Sequence, residues 1–182
     1  MITKSKLVVL MIFFVIAGLI TWYVAAGHIE RARIATDRIT LTYGTLFVGV
    51  GTGDSPYGIT HTDFNEAMVM EIAARLNMRP VFFYFLWDRI FDQFDAHRFD
   101  IIPSVTITQE LKAAYNFSNP YLAIPSYGAQ PDLFGIILQK GNDRLTEAIN
   151  RVLEDMFNDG TALRLSLNFF GMDLVTQARQ AW

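Results

Sequence analysis

The residues whose types could do chemistry form no catalytic or metal-binding pattern. The run Gly49-Val-Gly-Thr-Gly53 follows an apolar segment, but it matches neither a dinucleotide-binding nor a phosphate-binding glycine motif, so a tight loop is favoured. The histidines, His28, His61 and His97, are isolated and are typical of surface or loop positions. The absence of cysteine excludes disulfides, zinc–thiolate centres and thiol catalysis. We therefore expect no catalytic residue, no metal and no cofactor.

Composition and charge narrow the class further. The chain has 182 residues, of which 52% are hydrophobic and 18% are charged, which favours a folded domain over disorder. Residues 1–45 carry five basic and two acidic side chains, whereas residues 46–182 carry ten basic and sixteen acidic ones. The net charge is thus +3 at the start and −6 in the body. An acidic body is the wrong electrostatic partner for a nucleic acid, so we expect none.

One N-terminal segment has the length and composition of a membrane-spanning helix. Residues 7–24 are 18 consecutive uncharged residues, roughly 27 Å of helix at ~1.5 Å per residue, which matches a bilayer core. Lys4 and Lys6 precede it and favour a cytoplasmic N-terminus. A cleaved signal peptide ending near Ala26 is the competing interpretation, although the apolar run is longer than usual for one. The residues expected to mark the anchor are Leu7, Phe13, Phe14, Trp22 and Tyr23.

The body alternates apolar strand patterns with helical ones, which predicts an α/β domain with a mostly parallel sheet flanked by helices. Predicted strands lie at 46–50, 81–85, 100–102 and 134–139. Predicted helices lie at 64–76, 88–95, 108–114, 143–158 and 162–170, the first capped by Asp63 and ended by Asn77 and the last capped by Thr161 and closed by Gly171.

Several motifs in this body resemble those of the periplasmic solute-binding proteins of ABC importers, in their polar amino-acid branch. They are the strand and loop from Leu46 to Pro56, Trp87-Asp88, Asp100-Ile-Ile102, Thr106-Ile-Thr-Gln-Glu110, Asn116-Phe-Ser-Asn-Pro-Tyr121 and Asp159-Gly-Thr161. The similarity covers roughly residues 44–171. It implies a type II periplasmic-binding fold, in which two lobes close on a ligand.

Two departures separate this chain from the family it resembles. Only residues 122–132 lie between the Asn116–Tyr121 motif and the returning strand, where the family has a second lobe, and eleven residues are too few to form one. Leu111 stands where the family usually has an arginine that grips the ligand carboxylate. The prediction is a single lobe at 44–171, with an anchor or uncleaved signal at 1–27, a juxtamembrane linker at 28–43 and a tail at 172–182.

The resemblance and its departures predict an interaction protein rather than a receptor. We expect an accessory or scaffold subunit of a bacterial inner-membrane complex, with its lobe in the periplasm, lipid and other subunits as partners, and no tight binding of free amino acids. The residues of the former cleft edge are Asp54, Ser55, Tyr57, Trp87, Ser104, Thr106 and Leu111, and those expected to dock on a partner are Tyr57, Trp87, Pro103 and Val105. The alternatives are a receptor that borrows its second lobe from another chain, and an enzyme, since the fold also hosts dehydratases.

Overall fold

The computed structural model describes residues 44–54, 58, 61–126 and 130–181. The strands are β1 (Thr45–Thr52), β2 (Arg79–Leu86), β3 (Ile101–Thr106), β4 (Asn116–Phe117), β5 (Leu122–Ile124) and β6 (Asp132–Leu138). The helices are α1 (Thr62–Arg75), α2 (Trp87–Asp95), α3 (Gln109–Ala114), α4 (Asp143–Asn158), α5 (Thr161–Phe170) and α6 (Thr176–Arg179). No helix within these ranges is long and apolar enough to cross a bilayer. The predicted anchor, with Leu7, Phe13, Phe14, Trp22 and Tyr23, lies outside the described residues, as does the linker up to residue 43.

The strands form one mixed sheet in the order β2-β1-β3-β6-β4, with β5 also paired to β6. The pairs β1–β2 and β1–β3 are parallel, whereas β6 runs antiparallel to β3, β4 and β5. The prediction of a mostly parallel sheet is therefore wrong, because every pair that involves β6 is antiparallel. Its physical reason is the short connection before β6: an antiparallel neighbour needs only a hairpin, whereas a parallel one needs a long crossover.

The four predicted strands and five predicted helices are present, with ends shifted by a few residues. The strands β4 and β5 were not predicted. Residues 122–132 hold β5, whose Leu122 is fully buried in the core under the sheet, so the part of this connection that is described has no core of its own. The predicted tail also contributes to that core, because Leu174, Val175 and Ala178 are buried.

Two apolar clusters, one on each face of the sheet, hold the lobe together. Alternation along β1 shows how the faces are divided, since Leu46, Val48 and Val50 all enter the larger cluster with α1, α4 and α5. The smaller cluster lies on the opposite face and includes residues of α2, β3 and β6. Each fully buried large aliphatic side chain stabilises the lobe by about 1.5–3 kcal/mol.

The helix ends partly follow the predicted caps. Asn77 has φ 55° directly after the C-cap of α1, and Gly171 ends α5 with φ 70°, both as predicted. Asp63 is not the cap of α1, because the helix begins one residue earlier and the His61 ring nitrogen Nδ1 accepts from the Phe64 N–H at 3.4 Å. Thr161 is the first residue of α5 rather than its cap, which is Gly160.

A polar cluster joins α1 to the turn between α4 and α5. The Arg75 guanidinium contacts Asp159 at 2.8 Å and Glu71 at 2.8 Å, and it donates to Thr161 Oγ1 at 3.1 Å. The Thr161 backbone N–H donates to Asp159 Oδ1 at 2.9 Å. This N–H and the Arg75 side chain lower the pKa of Asp159 to about 2.

Asp159→Asn is expected to lower the thermal unfolding midpoint at pH 7 but not at pH 2 or below. The folded-state pKa of about 2 lies below the ordinary value of 3.8, so the stabilisation is complete above the higher value and is lost as the pH falls through the lower one. Circular dichroism melts at the two pH values measure this, with Glu154→Gln, an exposed carboxylate on α4, as the matched control. An equal loss at both pH values would contradict the assignment.

Candidate functional site

The candidate site lies where the C-terminal ends of β1 and β3 meet the start of α2, and we call it the cleft edge. Its described residues are Asp54, Trp87, Ser104, Thr106 and Leu111. Ser55 and Tyr57, which were predicted to belong to it, lie outside the described residues. An isolated antiparallel bridge between Gly58 and Val105 attaches the loop after β1 to β3.

The ring of Trp87 fills the space between two glycines. The side chain is 3% exposed, and a Cβ atom on Gly51 or on Gly58 would overlap the indole ring. At Gly58 the same Cβ would also lie 2.7 Å from the backbone oxygen of Ser104. Gly51, which belongs to the run that could be mistaken for a phosphate loop, therefore makes room for an aromatic ring, and this favours the tight-loop interpretation. The indole Nε1 is buried and has no hydrogen-bond partner in the described structure.

Ser104 is held in a fully buried polar network. Its hydroxyl lies 2.5 Å from Asn65 Oδ1 and 2.8 Å from the Tyr121 hydroxyl oxygen, which also accepts from the Ser104 N–H at 2.7 Å. Asn65, Ser104 and Tyr121 are each 0% exposed. Burial raises the pKa of Tyr121, with the hydrogen bonds to Ser104 acting in the opposite sense.

The backbone at Ser104 is in an uncommon conformation. Its φ is 55°, in the left-handed region that residues other than glycine rarely adopt. The β3–β6 register also shifts between Ile102 and Val105, which marks a bulge. The bulge directs the Ser104 N–H and hydroxyl at Tyr121 and Asn65, so both polar groups are satisfied inside the lobe. Strain of this kind persists only where the surroundings fix it, and the hydrogen bonds to Tyr121 and Asn65 stabilise this backbone conformation.

Leu111 packs inward instead of presenting a charge to the cleft. It lies in the first turn of α3, is half-buried, and contacts the apolar cluster that contains Trp87, Ile90 and Val105. The Thr108 hydroxyl caps this helix by accepting from the Leu111 N–H at 3.2 Å. At the other end of the cleft edge, Thr106 is half-buried and Asp54 is exposed.

Three of the four residues predicted to dock on a partner are buried. Trp87 is 3% exposed, Val105 is 0% exposed and Pro103 is also buried, so the expectation that these side chains form an open apolar face is wrong. The physical reason is that the glycines of β1 and of the loop after it let the indole ring pack into the lobe. Tyr57, the fourth residue of that prediction, lies outside the described residues.

Asn65 and Tyr121 are the site residues that sequence reasoning missed. Asn65 follows Phe64 at the start of an apolar helical stripe, and a buried amide there requires a polar partner. Tyr121 ends the Asn116–Tyr121 motif, which served only as part of the family resemblance and was not assigned to the site. No group of three or more histidine, aspartate or glutamate side chains in the described residues could hold a metal ion.

Comparison with protein families matches residues 46–172 to the bacterial extracellular solute-binding proteins, family 3. The chain belongs to this family. The match covers the sheet, the cleft edge and the helices up to α5. It confirms the resemblance read from the motifs, and it describes a family of extracellular solute-binding proteins.

Several solved structures of amino-acid-binding proteins are similar to this chain. The chain is 27% identical to a single-residue mutant of domain 1 of TmArgBP from T. maritima, in an arginine-bound form. That match covers 67% of this chain and 98% of the domain, with a TM-score of 0.57. The architecture is thus that of one lobe of a periplasmic-binding fold.

Two more distant structures share the fold. A polar amino acid ABC uptake transporter substrate-binding protein from Streptococcus thermophilus is 13% identical over 79% of this chain and 92% of its own, with a TM-score of 0.66. AncCDT-1, an ancestral amino-acid-binding protein described as a precursor of cyclohexadienyl dehydratase, is 18% identical over 74% of this chain and 99% of its own, with a TM-score of 0.60. Comparison with curated protein sequences gives no match.

Proposed function

We propose that this chain is a membrane-anchored, non-catalytic accessory subunit of a bacterial inner-membrane complex. Its lobe has the solute-binding fold but no longer recognises a ligand. The observation that carries the proposal is the state of the cleft edge. Ser104 is bonded to Asn65 and Tyr121 inside the lobe, and Trp87 is packed against the glycines. Leu111 offers an apolar surface where a carboxylate ligand needs a cation.

The proposal does not depend on the absence of a second lobe. Domain 1 of TmArgBP is described in an arginine-bound form, so an isolated lobe of a relative does hold a ligand. That description favours the alternative function, a receptor component that takes its second lobe from another chain. The two functions differ in whether this chain recognises a free amino acid, and that can be measured directly.

Isothermal titration calorimetry of the full chain in mild detergent is expected to give no heat of binding with arginine or any other amino acid. The reason is that Ser104 is bonded to Asn65 and Tyr121 inside the lobe, while Trp87 and Leu111 pack into its apolar cluster. Leu111→Arg is the matched variant and is expected to leave binding absent, because Ser104 and Trp87 remain engaged. Micromolar binding by the unmodified chain would overturn the proposal in favour of the receptor. Binding gained by Leu111→Arg alone would show that Ser104 and Trp87 are still available to a ligand.

The membrane location rests on the sequence of residues 7–24 and is tested by mass. The intact mass of protein purified from membranes is expected to include this segment. A mature chain that begins at Gly27 would instead establish a cleaved signal peptide and remove the anchor from the proposal.

The subunit role is tested by photo-crosslinking in membranes. A photoreactive amino acid at position 54, on the exposed part of the cleft edge, is expected to capture a second membrane protein, giving a product distinct in mass from two copies of this chain. The matched control is position 151, which is exposed on α4. Equal capture at both positions, or capture at neither, would contradict docking through this edge.

The enzyme alternative has little support at the cleft edge. Asp54 is the only carboxylate among its described residues, and acid–base catalysis needs a second titratable group placed against the same substrate. The relation to AncCDT-1 is one of fold alone, because the identity is 18%.

A further inference from the structure

The helix α5 carries apolar side chains on two sides. Its inner side enters the core through Ala162 and Leu165, which are both buried. Its outer side carries leucines too, since Leu163 is 37% exposed and Leu167 is 47% exposed. These leucines are four residues apart, so they are neighbours on the same face of the helix. A helix that is apolar on both sides is normally covered on both, but among the described residues only the inner side of α5 is buried.

The helix α1 lies antiparallel beside α5 and also exposes a large apolar side chain. The Arg75 guanidinium donates to Thr161 Oγ1 at 3.1 Å, which joins the end of α1 to the start of α5. The opposite ends meet through the rings of Phe64 and Phe169, whose centroids are 6.0 Å apart. Between these two contacts, Met70 of α1 is 53% exposed. The helix layer on this face of the sheet thus exposes apolar side chains from two neighbouring helices.

The charge of α5 differs from that of the lobe. Residues 46–182 have a net charge of −6, and the helices α1, α2 and α4 each contain three or more acidic residues. The helix α5 contains none, and its one charged side chain, Arg164, is exposed. Anionic lipid headgroups attract basic side chains and repel acidic ones. The outer face of α5 therefore combines leucines with a positive charge, as helices that lie on a bilayer surface do.

The chain that precedes the described residues joins the lobe at the end where α5 begins. A Cβ atom on Gly44 would lie 3.8 Å from the backbone oxygen of Asn77, two residues after the end of α1. The last residue of α1, Arg75, bonds Thr161, the first residue of α5. Gly44 is therefore at the same end of the lobe as the first turn of α5, which contains Leu163.

We propose that the outer face of α5, formed by Leu163, Arg164 and Leu167, lies on the surface of the lipid bilayer. This inference rests on the proposed membrane anchor at residues 7–24. Residues 25–43 span at most about 65 Å when fully extended, so the anchor keeps the lobe within that distance of the bilayer. Tethering raises the effective concentration, so a contact too weak to hold a free lobe is sufficient here. The leucines enter the headgroup region, and the arginine meets lipid phosphate groups.

Quenching of a fluorescent label by lipids tests this contact. The natural chain has no cysteine, so Leu167→Cys carries a single bimane label in the full-length protein. In vesicles of phosphatidylethanolamine and phosphatidylglycerol, lipids with a nitroxide near the headgroup are expected to remove most of its fluorescence. The matched control is Asp92→Cys, exposed on α2 and on the opposite face of the sheet, which is expected to lose little. Equal quenching at the two positions would overturn the proposal.

Substitution of the two leucines shows whether they make the contact. Met172, which is 55% exposed just after α5, is replaced by a labelled cysteine as the reporter. Leu163→Glu with Leu167→Glu is expected to abolish quenching of this reporter, because carboxylates are repelled by anionic headgroups. Leu163→Met with Leu167→Met keeps the face apolar and is expected to preserve it. Far-UV circular dichroism checks that both double variants are folded. Undiminished quenching in the glutamate variant would show that α5 does not lie on the bilayer.

Flotation distinguishes failure of this contact from failure of the anchor. The unmodified chain is expected to float with the vesicles in a density gradient. If it does not, the anchor of the proposed function is wrong and the contact of α5 is wrong with it. If it floats but position 167 is quenched no more than position 92, the anchor stands and the contact alone is wrong. A second copy of this chain that covered α5 would give this last result.

Discussion

Replacing Trp87 with alanine is expected to lower the free energy of unfolding of the lobe by about 3–5 kcal/mol. The indole ring is 3% exposed and lies over Gly51 and Gly58, so its removal leaves a cavity between β1, the loop after it and α2. Domains of this size have about 5–15 kcal/mol in total, so the loss is a large part of the stability. Urea unfolding of the full chain in mild detergent, followed by circular dichroism, measures it.

A double-mutant cycle with Gly51→Ala shows whether the ring is the cause. In the unmodified chain the added methyl group would overlap the indole ring, and we expect a loss of about 1–3 kcal/mol. In the Trp87→Ala background the same methyl group enters the vacated space, so the further loss is expected to be small. Strictly additive losses would contradict the packing of the ring against Gly51.

Tyr121→Phe is expected to lower the free energy of unfolding by about 1–3 kcal/mol, because it leaves the buried Ser104 N–H without a partner. The Tyr121 hydroxyl accepts from the Ser104 N–H at 2.7 Å and lies 2.8 Å from the Ser104 hydroxyl. Phenylalanine keeps the ring that stacks on Phe64, with centroids 6.5 Å apart, so the change isolates the hydroxyl. Thermal unfolding at neutral pH gives the size, and Tyr84→Phe, whose hydroxyl is at the surface, is the control.

Tyr121→Phe and the unmodified chain should also differ in how their stability depends on alkaline pH. Burial raises the pKa of Tyr121 above its ordinary value of 10.0, so the hydroxyl keeps its proton in the folded lobe where the unfolded chain would release it. Its stabilisation is complete below pH 10 and is lost as the pH rises toward the folded-state value. Stability should therefore fall less steeply above pH 10 in Tyr121→Phe than in the unmodified chain. Identical slopes would contradict a buried, protonated Tyr121.

Hydrophobic periodicity was sufficient to predict most of the elements but not their directions. The short apolar runs of β1 and β6 predict a buried strand in each case, and both strands are present. Whether β6 runs parallel or antiparallel depends on how the chain returns to the sheet, which no local pattern contains. The strands β4 and β5 have two and three residues, too few for a period to show.

The cleft edge was located from its motifs, but the orientation of its side chains was not. Trp87 directly follows β2 and begins α2, a position that would suit an exposed ligand-binding ring. What turns it inward is the absence of side chains at Gly51 and Gly58, which lie far from it in the sequence. The pairing of Ser104 with Asn65 and Tyr121 likewise spans 39 and 17 residues, so it is a property of the assembled fold.

The place of β6 in the sheet has a consequence for how the chain is made. This strand, Asp132–Leu138, is synthesised after β3 and β4 yet lies between them, and it also pairs with β5. Its pairing with β3 joins residues 28 to 37 positions apart, and such non-local contacts form slowly because loop closure precedes them. A nascent chain that ends before Asp132 has the parallel strands but nothing to join them to β4. The lobe therefore completes its sheet late in synthesis, because the strands made first wait for residues 132–138 before they can be joined to β4.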